Sequence, residues 1–243
     1  MRMFDFLTSR CKIKNKSSNL EDLNTAQTQK EEPVIDVDGN VYNTIKFGNQ
    51  IWTTENLQTT KLNDGTEISL VTDNNLWNEL AIPGYCWFKN DGDTYKNTFG
   101  ALYNFNAVNT GTLAPKGWHI PTEKEWDILE KYLISHGYNW DGSTTGNKIA
   151  KSMAAQTGWV KSRDRGSIGN KLNKNNRSGF SAIPSGYRQY GVFYDDIKRA
   201  IWWCSKQNSE KMMFIRLLDN RGDNLLNSHA RDCSGYSIRL IRD

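Results

Sequence analysis

The 243-residue chain has three histidines, four cysteines and five prolines, and each scarcity narrows what it can be. His119, His136 and His229 are dispersed. None of Cys11, Cys86, Cys204 and Cys233 forms a CxxC pair or stands at metal-ligand spacing from a histidine, which argues against zinc. No stretch reaches the roughly 18–20 apolar residues of a membrane span. Nothing resembles the Gly-rich elbow that exposes a catalytic serine. Charge of one sign is also scarce: the net +4 comes entirely from residues 177–243, where 11 Lys and Arg face 7 Asp and Glu. With no Lys/Arg run or nucleic-acid motif beside it, that excess fits a solvated face better than a phosphate track.

Aromatics are abundant. Nine Trp, ten Tyr and nine Phe compensate for a hydrophobic content of only 37%, because each buried ring removes a large apolar area from water. The sequence therefore predicts an aromatic core, with a sharper reading in which some tryptophans stand in a binding face. The length suits one domain plus a tether. Residues 12–33 are almost wholly polar and carry too little apolar surface to offset ordering, so 1–33 reads as a flexible N-terminal tether able to dock into a larger assembly, and 34–243 as the domain. Met1 to Cys11 does not meet the pattern of a secretory leader: Asp5 interrupts the apolar stretch, and Arg10 stands where a small residue precedes cleavage.

The domain reads as α+β with short antiparallel strands and two main helices. Val34–Val37, Val41–Ile45 and Gln50–Thr54 are strand-like runs split by Asp38-Gly39-Asn40 and Phe47-Gly48-Asn49, turns that tolerate positive φ. Thr122 and Glu125 form a capping box for a helix running to near Gly137, with Trp126, Leu129 and Leu133 on its inner face. A second helix is expected over Asn147 to Gln156, and a helical turn near Leu102 to Ala107. Residues 159–177 read as loop. Strands dominate thereafter, and in the closing segment Tyr236, Ile238 and Leu240 should face a core while Ser237 and Arg239 face out.

Chemistry-bearing groups are few. Cys204 follows one strand-like run and Cys233 precedes the last, so either a disulfide or two buried thiols fits them. Asp91 and Asp93, beside Asn90 and Asn97, gather hard oxygen ligands suited to calcium, at a spacing unlike an EF-hand loop. His119 is expected to bond backbone beside the helix start rather than to act as a base. Asp195-Asp196 is an adjacent carboxylate pair of the kind common in turns.

Gly39 to Leu57, Phe99 to Asn104, Ala114 to Thr122 with Glu125-Trp126, Ser178 to Arg188 and the closing Gly235 to Arg239 occur in that order. Together they resemble the Fibrobacter succinogenes major paralogous domain. The resemblance implies a C-type-lectin-like fold of the formylglycine-generating-enzyme type, found in surface and secreted proteins of Bacteroidetes. It implies a cell-surface or extracellular, adhesive role. Formylglycine generation itself needs a reactive cysteine pair that this layout does not suggest. Variable proteins of diversity-generating retroelements are similar in fold. In them the strands between a segment like Ala200-Ile-Trp-Trp203 and a closing strand like Gly235–Arg239 form the ligand face. Carried over, that face is Lys206 to Asp232, with Trp203, Lys206, Asn208, Lys211, Phe214, Arg216, Asp219, Asn220, Arg221 and Asn224 as contact residues. Cys204 departs from the small hydroxyl residue usual there.

The expected function is a non-catalytic recognition or adhesion module for a protein or glycan ligand, with no cofactor beyond calcium and no nucleic-acid partner. Two alternatives stand beside it: a structural subunit of a surface, phage-tail or secretion assembly, and an enzyme of unrecognised type.

Overall fold

The computed structural model describes residues 30–195, 197–205, 213–231 and 233–243. Most of the expected tether, 1–29, lies outside them. The first strand starts at Lys30 rather than Val34, and it bulges between Glu31 and Val34, where Pro33 breaks the ladder at a sheet edge.

Strands β1 (Lys30–Ile35), β2 (Val41–Phe47) and β3 (Gln50–Thr53) form the expected antiparallel meander. A small sheet follows, built from β4 (Ser69–Leu70), β5 (Gly84–Cys86) and β6 (Leu102–Tyr103), with helices α1 (Asn74–Glu79) and α2 (Gly92–Phe99) in its connections. The expected helical turn near Leu102 is thus strand first and helix second: Asn104 accepts from the Ala107 N–H at 3.0 Å and caps α3 (Phe105–Val108). Then come β7 (Trp118–His119), α4 (Glu123–Ser135), α5 (Ala150–Met153), the hairpin of β8 (Tyr187–Gln189) and β9 (Val192–Tyr194), and a sheet of β10 (Arg199–Trp203), β11 (Met213–Asp219) and β12 (Leu226–Ala230). The last strand, β13 (Ile241–Arg242), inserts between β3 and β7. The architecture is mixed α+β, mostly antiparallel, with few helices.

Helix α4 follows its sequence closely. The Thr122–Glu125 capping box is present, Trp126, Leu129 and Leu133 are buried, and Gly137 takes the positive φ of 71° that ends it. Helix α5 is shorter than the expected Asn147–Gln156. The amides of Lys148 and Ala150 bond Asn139 Oδ1 and Asp223 O, and Ala155 N bonds Ala182 O, so tertiary partners take the groups a longer helix would use.

Seven of the nine tryptophans are buried, and Trp118 and Trp140 are half-buried. Trp52, Trp126, Trp202 and Phe180 form one cluster, with Trp52–Trp126 ring centroids 4.7 Å apart. Tyr42, Tyr103, Trp203 and Tyr236 belong to a second. Neighbours Trp202 and Trp203 therefore point into different cores from opposite faces of β10.

The closing segment departs from the expectation in an instructive way. Alternation holds, but Ser237 and Arg239 are as buried as their neighbours, at 0% and 1% exposure. The face expected to meet water meets the first cluster instead. Arg239 Nε donates to Asn56 Oδ1 (2.8 Å), Nη1 to the carbonyls of Thr53 (2.9 Å) and Phe180 (3.3 Å), and Nη2 to that of Ser181 (3.2 Å), while its guanidinium lies 4.8 Å over the Phe180 ring. Burial pushes its pKa down to about 9, which leaves it cationic at neutral pH. Arg188 is similarly enclosed: it donates to the carbonyls of Val71, Thr72, Asp73 and Gly191 and to Asn74 Oδ1, and it stacks 4.6 Å over Trp77.

Arg239→Lys is expected to destabilise the domain by about 3 kcal/mol, since one ammonium cannot replace the planar fork and strands buried carbonyls. Urea denaturation measures this, and a loss under about 1 kcal/mol would contradict the assignment. Among the described residues Trp126 Nε1 has no acceptor, whereas Trp202 Nε1 donates to Asn56 at 2.9 Å. Trp126→Phe should therefore cost about 1 kcal/mol less than Trp202→Phe in the same assay.

Candidate functional site

Several expected contact residues lie inside the molecule. Trp203 is fully buried, its ring against Phe105 and Tyr236 and its Nε1 donating to Tyr103 O at 2.7 Å. A ring so enclosed packs the core and cannot meet a ligand. Arg216 is also buried, because β11 turns it toward α4, where it pairs with Asp127 and lies 3.7 Å from Glu130. Phe214 is half-buried against His229. Lys206, Asn208 and Lys211 lie outside the described residues.

Asp219, Asn220 and Arg221 do come together, at the end of β11, in a cleft of about 590 Å³. Its other walls are residues 160–164 together with Asp195, Lys198 and Arg199, so the loop after Trp159 supplies nearly half the site. Asn224, three residues on, is half-buried and outside the lining. Arg199 stands in the middle, with Nη1 2.9 Å from Asp195 and Nε 2.8 Å from Asp219. Hydrogen bonding to Asp219 raises its pKa, so the clamp is permanently charged. Around it, Lys161, Arg163, Lys198 and Arg221 are exposed and make no ion pair among the described residues.

Backbone bonds pre-form this cleft. Val160 N donates to Ile197 O (2.9 Å), Asn220 N to Lys198 O (2.9 Å), Gly169 N to Asn220 O (2.8 Å) and Ser162 N to Gly169 O (3.0 Å). Ile197 is held at φ 57°, a strained value for a β-branched residue. Asn220, on the expected contact face, is buried because its backbone joins two walls of the cleft.

The remaining candidates resolve as follows. Cys204 and Cys233 are not joined. Burial pushes the thiols of Cys204 and Cys86 up to about 12, well away from reactive thiolates. Asp91 caps α2, accepting from the Thr94 N–H at 3.0 Å, and Asp93 lies in the first turn of that helix. Among the described residues no cluster of three or more His, Cys, Asp or Glu side chains could hold a metal. His119 bonds carboxylates rather than backbone, with Nε2 2.8 Å from Glu125 and Nδ1 2.5 Å from Asp243.

The sequence signal for the cleft was local. Residues 1–176 balance 20 basic against 20 acidic groups, yet residues 159–177 alone hold six Lys and Arg and one Asp. Averaging over the longer window hides that concentration.

A mixed α+β domain with a pre-formed, cation-rimmed polar cleft is the class of protein these features define. The chain belongs to the Fibrobacter succinogenes major domain family, whose model matches residues 45–242. No curated protein and no solved structure matches it. Among the described residues no helix is long and apolar enough to cross a membrane.

The His119 clasp generates a pH prediction. Its hydrogen bond to Glu125 raises the His119 pKa above 6.5; burial acts oppositely but is outweighed. Its stabilising contribution is then complete below 6.5 and lost as pH rises through the higher folded value. For Glu125, burial raises the pKa, but the bonds from His119 and Thr122 win and the net shift is downward. That contribution is present above 4.5 and lost as pH falls through the lower folded value. An NMR titration of the His119 ring should show a midpoint above 6.5 that falls in Glu125→Gln; a midpoint unmoved by the substitution would contradict the clasp.

Proposed function

We propose that this domain is a non-catalytic recognition module of C-type-lectin-like type, which takes a protein or glycan ligand in the cleft around Arg199. The observation that carries the reading is a cationic rim that makes no ion pair among the described residues, set on a backbone-braced frame. Five cations face three carboxylates in the lining, and two of those carboxylates, Asp195 and Asp219, are held by Arg199, which leaves the four exposed cations available to an external partner. Bracing lowers the ordering cost of binding, which is how a modest contact surface gains affinity. Burial keeps Cys86 and Cys204 as protonated thiols, which supports leaving chemistry at these two cysteines aside. Family membership supports the lectin-like reading by resemblance, and the same resemblance suggests a surface setting.

The test is binding of the purified full chain to a glycan array and to surface proteins extracted from candidate partner cells, beside a variant carrying Arg163→Ser, Lys198→Ser and Arg221→Ser. A ligand bound at least tenfold more weakly by the variant, at unchanged denaturation midpoint, is the expected result. Equal binding by both proteins would remove the Arg199 cleft as the site, and no binding at all would favour a structural subunit.

A further inference from the structure

The six cations of residues 159–177 are divided by the fold. Lys161 and Arg163 border the Arg199 cleft, and the other four, Arg165, Lys171, Lys174 and Arg177, enter a second cleft of about 350 Å³ on the other stretch of the loop, where Lys151 joins them. No carboxylate lines this second cleft. None of its five cations makes an ion pair among the described residues. Of the carboxylates on neighbouring segments, Asp141 holds Lys148 at 2.6 Å, Asp164 accepts from Ser162 Oγ at 2.9 Å, and Asp223 accepts at 3.2 Å from Nε1 of the wall residue Trp140 without itself entering the lining.

The walls are ordered. Arg165 lies 5.5 Å over the Trp140 ring and Arg177 lies 5.4 Å over the Tyr138 ring, cation–π contacts that orient both guanidinium planes. Gly166, at φ 85°, passes so close to Trp140 that an added Cβ would come within 2.4 Å of the indole. Arg177 Nη2 also donates to the carbonyl of Gly137. Lys151, 8% exposed, spends its donors on the carbonyls of Ser167, Asn170 and Lys171 and on Asn175 Oδ1. These are neutral acceptors, so the ammonium fixes the loop while its charge stays uncompensated. Burial lowers its pKa accordingly. Five like charges around one small cleft repel one another, and an anion placed there relieves that repulsion.

We propose that this second cleft binds an acidic saccharide, a sugar ring bearing a carboxylate or a sulfate, independently of the Arg199 cleft. The planar forks of Arg165 and Arg177 match the two oxygens of such a group. The half-buried Trp140 edge and the half-buried Asn170 side chain supply the apolar and hydrogen-bonding contacts a sugar ring needs. A single-stranded nucleic acid fits less well: its bases stack on bare aromatic faces along an extended track, and here arginines cover the rings within one compact cleft.

The test uses the full chain, isotope-labelled, titrated with trigalacturonate, a sialyl trisaccharide, a heparin-derived disaccharide, neutral maltotriose, inorganic sulfate and a short oligothymidylate. At least one acidic saccharide is expected to shift amides within 138–152 and 165–177, to bind more weakly as salt rises, and to lose about tenfold or more in affinity in Arg165→Gln/Lys174→Gln. Both substituted side chains are exposed, and an unchanged amide spectrum confirms their fold. Carboxylated against sulfated probes identify the acid group. The proposal is overturned if no acidic saccharide shifts these amides, if the double variant binds equally, or if maltotriose, sulfate or oligothymidylate binds as tightly. Shifts confined to 160–164, 195–199 and 219–221 would belong to the Arg199 cleft and would overturn the second site alone.

Discussion

The structure depends on one buried segment, Gly235 to Ile241, and on the arginine inside it. Isolated bridges pair Gly235 with Arg188, Tyr236 with Tyr103 and Ser237 with Trp202, and Ile241 then pairs with Trp52 and His119. All four sheets thus meet one extended stretch of chain. A segment enclosed on every side must have its polar groups bonded internally. Arg239 does this, drawing Asn56 and the carbonyls of Thr53, Phe180 and Ser181 onto one guanidinium. Moving a charge out of water costs several kcal/mol, and the four charge-assisted bonds offset that cost while fixing where three separate loops cross.

Arg188 repeats the device on the other side of the segment, gathering residues 71–74 and Gly191. Neither arginine uses a carboxylate among its hydrogen-bond partners. Both use backbone carbonyls, which suits a chain with short strands and long irregular connections, where many carbonyls lack a ladder partner. Aromatic rings fill the space between, so the interior combines large apolar plates with cationic pins lying on their faces.

The same economy shapes the two clefts. Residues 159–177 have almost no regular structure, yet Gly169 and Ile168 bond Asn220 and Gly222, and Lys151 collects three carbonyls of the loop. An irregular loop held this way presents its remaining charges in set positions. Its outer arginines and lysines face outward on two sides while its backbone is bonded inward.

Much of this fold was legible from local chemistry. The meander, the Thr122–Glu125 cap, the stop at Gly137 and the aromatic core follow from turn residues, capping groups and apolar spacing, each set by neighbours a few residues apart. The family's ordered motifs were legible too, because Gly, Trp and Arg recur at positions where a close approach or a buried fork admits little else. What the sequence could not determine was which face each side chain would meet. Alternation in Tyr236–Leu240 is a period, and a period says that successive residues point oppositely, not that one side is water; the residues that enclose Arg239 and Trp203, among them Thr53, Asn56, Tyr103 and Phe105, are far from them in sequence. The expected α5 shortened for the same reason, since Asp223 and Ala182 offered its backbone better partners than its own turn. The clefts, likewise, exist only where the loop meets distant chain, the end of β11 and the turn before β10 on one side and residues 138–140 and α5 on the other, and that convergence is decided by tertiary hydrogen bonds no linear pattern records.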